Sequence, residues 1–293
     1  MDRRLTPFNG RVAHVSLRGK VDAPRFVEGR PAVVVQSKVA LLPEPDINGT
    51  RMDRELLFGE KATLLEYHQG HGFVIAEKDG YVGWVGAWDI NDKALATPTH
   101  VVSQRTTHLY KEPDMKQSRR ASGYSLGSRF EVLDQDARFA RVRLSCPSDQ
   151  WDTDNGFEYR YAPLQHIRPL SQPESDPVAV SERLIGTPYL WGGNSAFGID
   201  CSGLVQMGCQ MCDIPCPGDS DQQQAHFSAA PDDQYQRGDL LFWKGHVAWV
   251  ADPDTLLHAN AHHMAVVYEP ISKAIARIES QGDGPVTKHA RLT

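Results

Sequence analysis

Three side chains in the last third of the chain are of the types that together carry out acyl transfer: Cys201, His246 and His258. Cys201 stands in Asp200-Cys201-Ser202-Gly203, and an apolar helical pattern follows at once through Leu204, Val205, Gly208, Met211 and Cys212. That spacing puts the cysteine at a helix N-terminus. The partial positive charge there favours a thiolate, and the free amide N–H groups can hold an oxyanion. A thiolate nucleophile needs a base that takes a proton and later returns one to the leaving amine. His246 opens a strand pattern after the Lys244-Gly245 turn, with Ala248 and Val250 on its face. His258 lies on the next strand pattern, close enough through a hairpin to orient the base on its second ring nitrogen. Taken singly, a cysteine is more often inert packing and a histidine more often structural. A nucleophile, a base and an orienter together are a catalytic constellation. His262 and His263 follow Asn260-Ala261 in a loop and read as solvated or substrate-side.

The surrounding patterns define the elements that must hold these groups. Ser171 to Pro177 is a linker, with Asp176 as a helix cap and Pro177 at the first helical position, leading into a short helix from Val178 to Ile185. After the cysteine helix, Pro217 to Gln223 reads as a polar loop. Strand patterns then run through Asp239–Trp243, His246–Val250, Thr255–Ala259 and Ala265–Tyr268. Helices followed by an antiparallel sheet make residues 171–293 an α+β domain.

Upstream, residues 31–95 hold short β-rich runs separated by glycine turns, including Asp79-Gly80 as a hairpin signal, and suit a small all-β barrel. Residues 96–170 repeat that unit: Glu44-Pro45-Asp46 returns as Glu112-Pro113-Asp114, Gly59 as Gly127 and Leu65 as Leu133, all in one register. The second copy carries a polar insertion, Ser148 to Gly156, read as a surface loop. Residues 1–30 form a polar leader expected to pack across the domains.

The chain has 293 residues, 40% hydrophobic and 23% charged, with a formal net charge of −6, which argues against a nucleic-acid binder. Neither a secretory h-region nor an apolar run of membrane-spanning length is present, so no membrane partner is expected and a cytoplasmic location is. The five cysteines, an odd number, fit reduced thiols. Cys209-x-x-Cys212 with Cys216 lacks a second ligand pair and reads as small apolar filler, so neither a metal nor another cofactor is expected.

Tyr189-x-Trp191-Gly192-Gly193, Asp200-Cys201-Ser202-Gly203, Gly238-Asp239-Leu240-Leu241-Phe242, Gly245-His246-Val247-Ala248 and the later His258 occur in one order. Across roughly residues 175–280 they resemble the NlpC family of papain-like cysteine peptidases. The two front barrels resemble bacterial SH3-like modules, and the combination resembles cytoplasmic γ-D-glutamyl–diamino-acid endopeptidases that recycle cell-wall peptides. The resemblance implies that Cys201 is the nucleophile, His246 the base and His258 its orienter, with Tyr189 helping the Cys201 N–H at the oxyanion. It implies that Asp200, Ser202, Asp219 and Ser220 meet the L-Ala-γ-D-Glu end of a murein peptide. It further implies that Tyr81 walls a front pocket and that a barrel acid, Glu55 with Glu60 as rival, binds the free amine. Tyr81 and Trp84 read equally well as barrel core. One departure is Gly218, where the family carries an arginine able to grip a carboxylate. Two other functions fit the same residues: an amidase or endopeptidase acting on intact peptidoglycan, and a non-catalytic wall-peptide-binding module.

Overall fold

The computed structural model describes all residues except 47, 50, 119, 120, 147–155 and 293. The chain divides into two compact units, Met1–Gln172 and Pro173–Thr293.

The first unit is two copies of one all-β motif. In the first copy a five-stranded sheet runs in the order Val82–Gly86, His71–Ala76, Lys61–His68, Arg30–Val34, Ile90–Asn91. A two-stranded ribbon, Lys38–Leu41 with Arg54–Leu57, joins it through the Leu42–Trp84 bridge. The second copy has the same order, Phe157–Pro163, Phe139–Ser145, Arg129–Gln135, His100–Val102, Ile167–Pro169, and its ribbon joins through Tyr110–Tyr161. Among the described residues neither sheet closes on itself, so each SH3-like unit is an open sheet with a ribbon rather than a closed barrel.

The repeat register expected from the sequence appears strand by strand. Lys38, Arg54, Lys61 and His71 open strands in the first copy, and Thr106, Ser122, Arg129 and Phe139 open their counterparts, each 68 residues on. Gly59 and Gly127 both take left-handed φ, 77° and 89°. Leu65 and Leu133 are the bulge residues at which each long strand slips register against its partner. Even the Glu-Pro-Asp turns match: the Asp46 and Asp114 carboxylates accept from the N–H two residues ahead at 2.8 and 2.9 Å. The insertion Ser148 to Gly156 lies outside the described residues apart from Gly156.

The two copies share structure. Phe58 of the first packs edge-on against Tyr124 and beside Phe130 in the core of the second. Its carbonyl accepts from Arg129 N at 2.9 Å. A Cβ at Gly59 would lie 2.2 Å from the Arg129 carbonyl oxygen, so this junction requires glycine twice over, for φ and for space. The leader belongs to the first copy: Val12 is buried with Leu65, Phe73 and Trp84.

In the second unit a five-stranded antiparallel sheet runs Ala265–Pro270, Thr255–Asn260, His246–Asp252, Leu240–Trp243, Lys288–Ala290. Among the described residues four helices accompany it: α1 (Pro177–Glu182), α2 (Cys201–Met211), α3 (Ser220–His226) and α4 (Ile271–Ser280). Asp176 caps α1 as expected, accepting from Val178 N and Ala179 N. Ile271, Ala274 and Ile278 of α4 bury a 3-4 spaced stripe against Leu241, Ala248, Val250 and Leu256. The segment expected to be a polar loop is instead partly α3. Its Asp219 and Gln222 form a capping box, a start signal that a glutamine-rich stretch with little apolar periodicity hides. No helix among the described residues is long and apolar enough to cross a membrane.

Candidate active site

Cys201 is the first residue of α2 and is buried. Its position is fixed by Asp200, whose Oδ1 accepts from Gly203 N at 2.6 Å and from Ser202 Oγ at 3.1 Å. The other carboxylate oxygen accepts from Gly192 N at 2.9 Å, tying the Tyr-x-Trp-Gly-Gly loop to the helix start. Gly203 is required by close approach: a Cβ there would meet Gly193 O at 2.5 Å and Asn194 Oδ1 at 2.9 Å. Gln223 of α3 locks the same turn, donating from Nε2 to Ser202 O and Pro217 O, each at 2.9 Å. Asp200 and Ser202 are thus buried groups that build the helix start; Asp219 caps α3 and Ser220 is its first residue, with Gly218 leading in.

His246 and His258 come together as the hairpin requires. His246 Nε2 lies 3.0 Å from His258 Nδ1, and His258 Nε2 lies 3.0 Å from Glu269 Oε2. Arg277 of α4 grips Glu269 with both ends of its fork, Nε to Oε1 at 2.9 Å and an Nη to Oε2 at 2.7 Å. An ionised carboxylate only accepts, so His258 Nε2 carries the proton. In the neutral ring its Nδ1 then accepts from His246 Nε2–H. That leaves His246 Nδ1 with the lone pair, the state a general base needs.

Electrostatics hold this arrangement. Burial pushes the Glu269 carboxyl up, but hydrogen bonds and charge from His258 and Arg277 overcome it and keep the group well below the usual carboxylate range. Burial, with help from the neighbouring His258 and Arg277, pushes His246 down to about 3. His258 is lowered too, by burial, against the pull of Glu269. Both imidazoles are therefore neutral near pH 7.

His246 opens onto a cleft of about 400 Å³, which Tyr189, Trp191, Asn260, His262 and Arg277 also line. Neither Cys201 nor any of Asp200, Ser202, Asp219 and Ser220 lines that cleft. His263 is drawn back to Asn260, whose Oδ1 accepts from its backbone N–H at 2.8 Å. Tyr81 and Glu55 belong to the first unit. Tyr81 is part of its hydrophobic core, Glu55 is buried and paired with Lys38 at 2.8 Å, and its rival Glu60 is buried against Lys78 at 2.9 Å. The five cysteines are unbridged.

Sequence reasoning missed Glu269 and Arg277. The available signal was a carboxylate at a strand end followed, eight residues on, by an arginine within the 3-4 stripe of Ile271, Ala274 and Ile278.

Comparison with known proteins defines the class. Residues 186–279 match the NlpC/P60 family and residues 41–90 match the bacterial dipeptidyl-peptidase Sh3 domain. The chain carries an NlpC/P60 domain behind a bacterial dipeptidyl-peptidase Sh3 domain, and it is a cysteine peptidase. It is 26% identical to a gamma-D-glutamyl-L-lysine dipeptidyl-peptidase of Bacillus cereus over 246 residues, 77% of this chain and 72% of that one. It is likewise 26% identical to dipeptidyl-peptidase 6 of Lysinibacillus sphaericus over 245 residues, 78% of this chain and 87% of that one. The fold is shared with an NlpC/P60 family protein from Bacillus cereus, with a TM-score of 0.72 at 20% identity, covering 89% of this chain and 99% of that one.

Proposed function

We propose that the protein cleaves the γ-D-Glu–diamino acid bond of short murein peptides with a free N-terminal L-Ala, in the cytoplasmic recycling of cell-wall peptides. The observation that carries the chemistry is the hydrogen-bonded series Arg277–Glu269–His258–His246, which presents a neutral imidazole with a free Nδ1. Support for the substrate class is the likeness, over 77% and 78% of this chain, to relatives named gamma-D-glutamyl-L-lysine dipeptidyl-peptidase and dipeptidyl-peptidase 6.

In this reading His246 Nδ1 takes the thiol proton of Cys201 as the sulfur attacks the γ-carbonyl carbon. The oxyanion is held by the Cys201 N–H at the helix start and by Tyr189. The C–N bond breaks as His246 returns its proton to the leaving amine. Water, deprotonated by the same imidazole, then adds to the thioester and releases the acyl half and the thiol. Asp200, Ser202, Asp219 and Ser220 are assigned to the acyl half of the substrate.

The test compares L-Ala-γ-D-Glu-diamino acid, the same peptide N-acetylated, and purified sacculi. Hydrolysis of the free peptide alone, abolished in Cys201→Ala, is the expected result. Release of peptides from sacculi would instead favour action on intact wall, and no turnover of any substrate would favour a binding module.

A further inference from the structure

The base and the nucleophile of the proposed reaction stand on different elements, His246 on the sheet and Cys201 at the start of α2. Toward its C-terminal end α2 packs directly on the sheet: a Cβ at Gly208 would lie 3.2 Å from the Trp249 ring. At its N-terminal end a second connection runs through α3. Gln223 is wholly buried, and its Nε2 donates to Ser202 O and Pro217 O, each at 2.9 Å. The 202–203 peptide is thereby gripped at both ends, because Gly203 N–H donates to Asp200 Oδ1 at 2.6 Å. The Gln223 amide oxygen, by contrast, is buried with no hydrogen-bond partner among the described residues. An orphaned buried acceptor costs free energy, so this amide is a poor choice for stability and a specific one for placing a donor. The other end of α3 is tied to the sheet. Lys288 Nζ donates to Gln224 O at 2.7 Å and to Phe227 O at 2.6 Å, a cation on the last carbonyls of the helix. Lys288 lies opposite Phe242 of the strand Leu240–Trp243, and Trp243 of that strand lies opposite His246.

We propose that Gln223 and Lys288 are positioning residues: they form a brace from the strand beside His246 through α3 to the Ser202 carbonyl, and this brace aims the Cys201 N–H at the oxyanion. The proposal rests on the peptidase reading above, with Cys201 as nucleophile. The Cys201 N–H belongs to the peptide two before the gripped one, and the carbonyl of that peptide, Asp200 O, accepts from Leu204 N at 3.0 Å in the same turn. Loss of the Gln223 bond frees the turn to rotate. A misaimed oxyanion donor then slows acylation and deacylation alike. Alkylation of the thiol by iodoacetamide builds no oxyanion and does not depend on the brace.

The experiment measures kcat, KM and the iodoacetamide alkylation rate of Cys201 in the wild-type enzyme, Gln223→Met, Gln223→Glu, Lys288→Met and the double variant of Gln223→Met with Lys288→Met. The substrate is L-Ala-γ-D-Glu-L-Lys or its meso-diaminopimelate counterpart, whichever the wild-type enzyme turns over faster, and circular dichroism establishes that each variant is folded. Gln223→Met, close in volume, is expected to lower kcat about ten- to hundredfold with KM little changed, while alkylation stays near the wild-type rate. Lys288→Met lowers kcat less, and because it acts through the same bond the double variant loses no more than Gln223→Met alone. In Gln223→Glu a carboxylate confronts two carbonyls and only its protonated form donates, so its kcat relative to wild type rises from about pH 8 to about pH 6. A folded Gln223→Met with wild-type kcat overturns the proposal, as does an alkylation rate that falls in step with kcat, or a Lys288→Met loss that multiplies with that of Gln223→Met. Should Gln223→Met not fold, Lys288→Met decides, and wild-type kcat in that variant overturns the proposal too. Each of these results leaves the peptidase reading standing, whereas a wild-type enzyme that cleaves neither peptide removes that reading and the brace with it.

Discussion

The imidazole of His246 keeps Nδ1 without a hydrogen-bond partner among the described residues, and in the proposed reaction that nitrogen is the base. Glu269 fixes the tautomer of His258, His258 fixes that of His246, and Arg277 keeps Glu269 ionised and aimed. The pH dependence follows with a definite sign. In the proposed reaction protonation of His246 removes the base, and its folded value lies well below 6.5, so the acidic limb of kcat/KM is expected below the ordinary histidine range. Arg277 lowers His246 and Glu269 raises it. Glu269→Gln is therefore expected to move the limb further to acid, and Arg277→Met to move it toward neutral. Each also lowers kcat by roughly 10²-fold, on the scale of losing an orienting carboxylate behind a catalytic histidine. Limbs that move together, or not at all, would mean that the pair acts only in packing. The histidine pair was legible in the sequence because strand alternation and a hairpin suffice to bring two rings together. Glu269 and Arg277 were not: they depend on the pairing of Thr255–Asn260 with Ala265–Pro270 and on how α4 lies across that sheet, and no local pattern contains either.

At the scale of elements, the start of α2 is the stringent piece. Asp200 binds three donors on two sides of the chain, and Gly203 sits where no side chain fits. Gly203→Ala is expected to cost about 2 kcal/mol, since the obstruction is backbone rather than a flexible side chain. Denaturant unfolding checks this, and an unchanged midpoint would show that the turn can shift freely. The motif that carries these residues was readable because every one of its functions is local: cap, tight turn and helix start. Helix α3 was misread for the opposite reason. It earns its place through Gln223, a wholly buried polar side chain tied to the α2 turn, and hydropathy assigns such a residue to the surface. The repeat in the first unit was legible in three residue matches. Two of them turn out to be structural necessities of the motif, the left-handed glycine and the bulge leucine.

For the molecule as a whole, the buried neutral histidines tie stability to pH. In the unfolded chain His246 and His258 take up protons near their ordinary value of 6.5, and in the folded state they resist. The unfolded state then binds more protons as pH falls through that range, so stability is full above about pH 6.5 and declines below it. Glu269, held ionised by His258 and Arg277, adds to the loss in the same direction at lower pH. The melting temperature is expected to drop by roughly 5 °C from pH 7 to pH 5. His246→Asn should reduce that slope, and a slope identical to wild type would show that the ring titrates freely when folded. The two-unit division also has a cause in the chain. Phe58 lends its ring to the neighbouring repeat's core, so what reads as two modules in sequence forms one unit in space.

The central claim is that Cys201 forms the covalent bond to the acyl half of the substrate. Its most direct test is intact-mass analysis of enzyme quenched within the first turnover of an L-Ala-γ-D-Glu anilide. The account predicts a burst of about one equivalent of aniline and an acyl adduct mapped to Cys201, both lost in Cys201→Ala. Undiminished turnover by Cys201→Ala, or an adduct on any other residue, would contradict it.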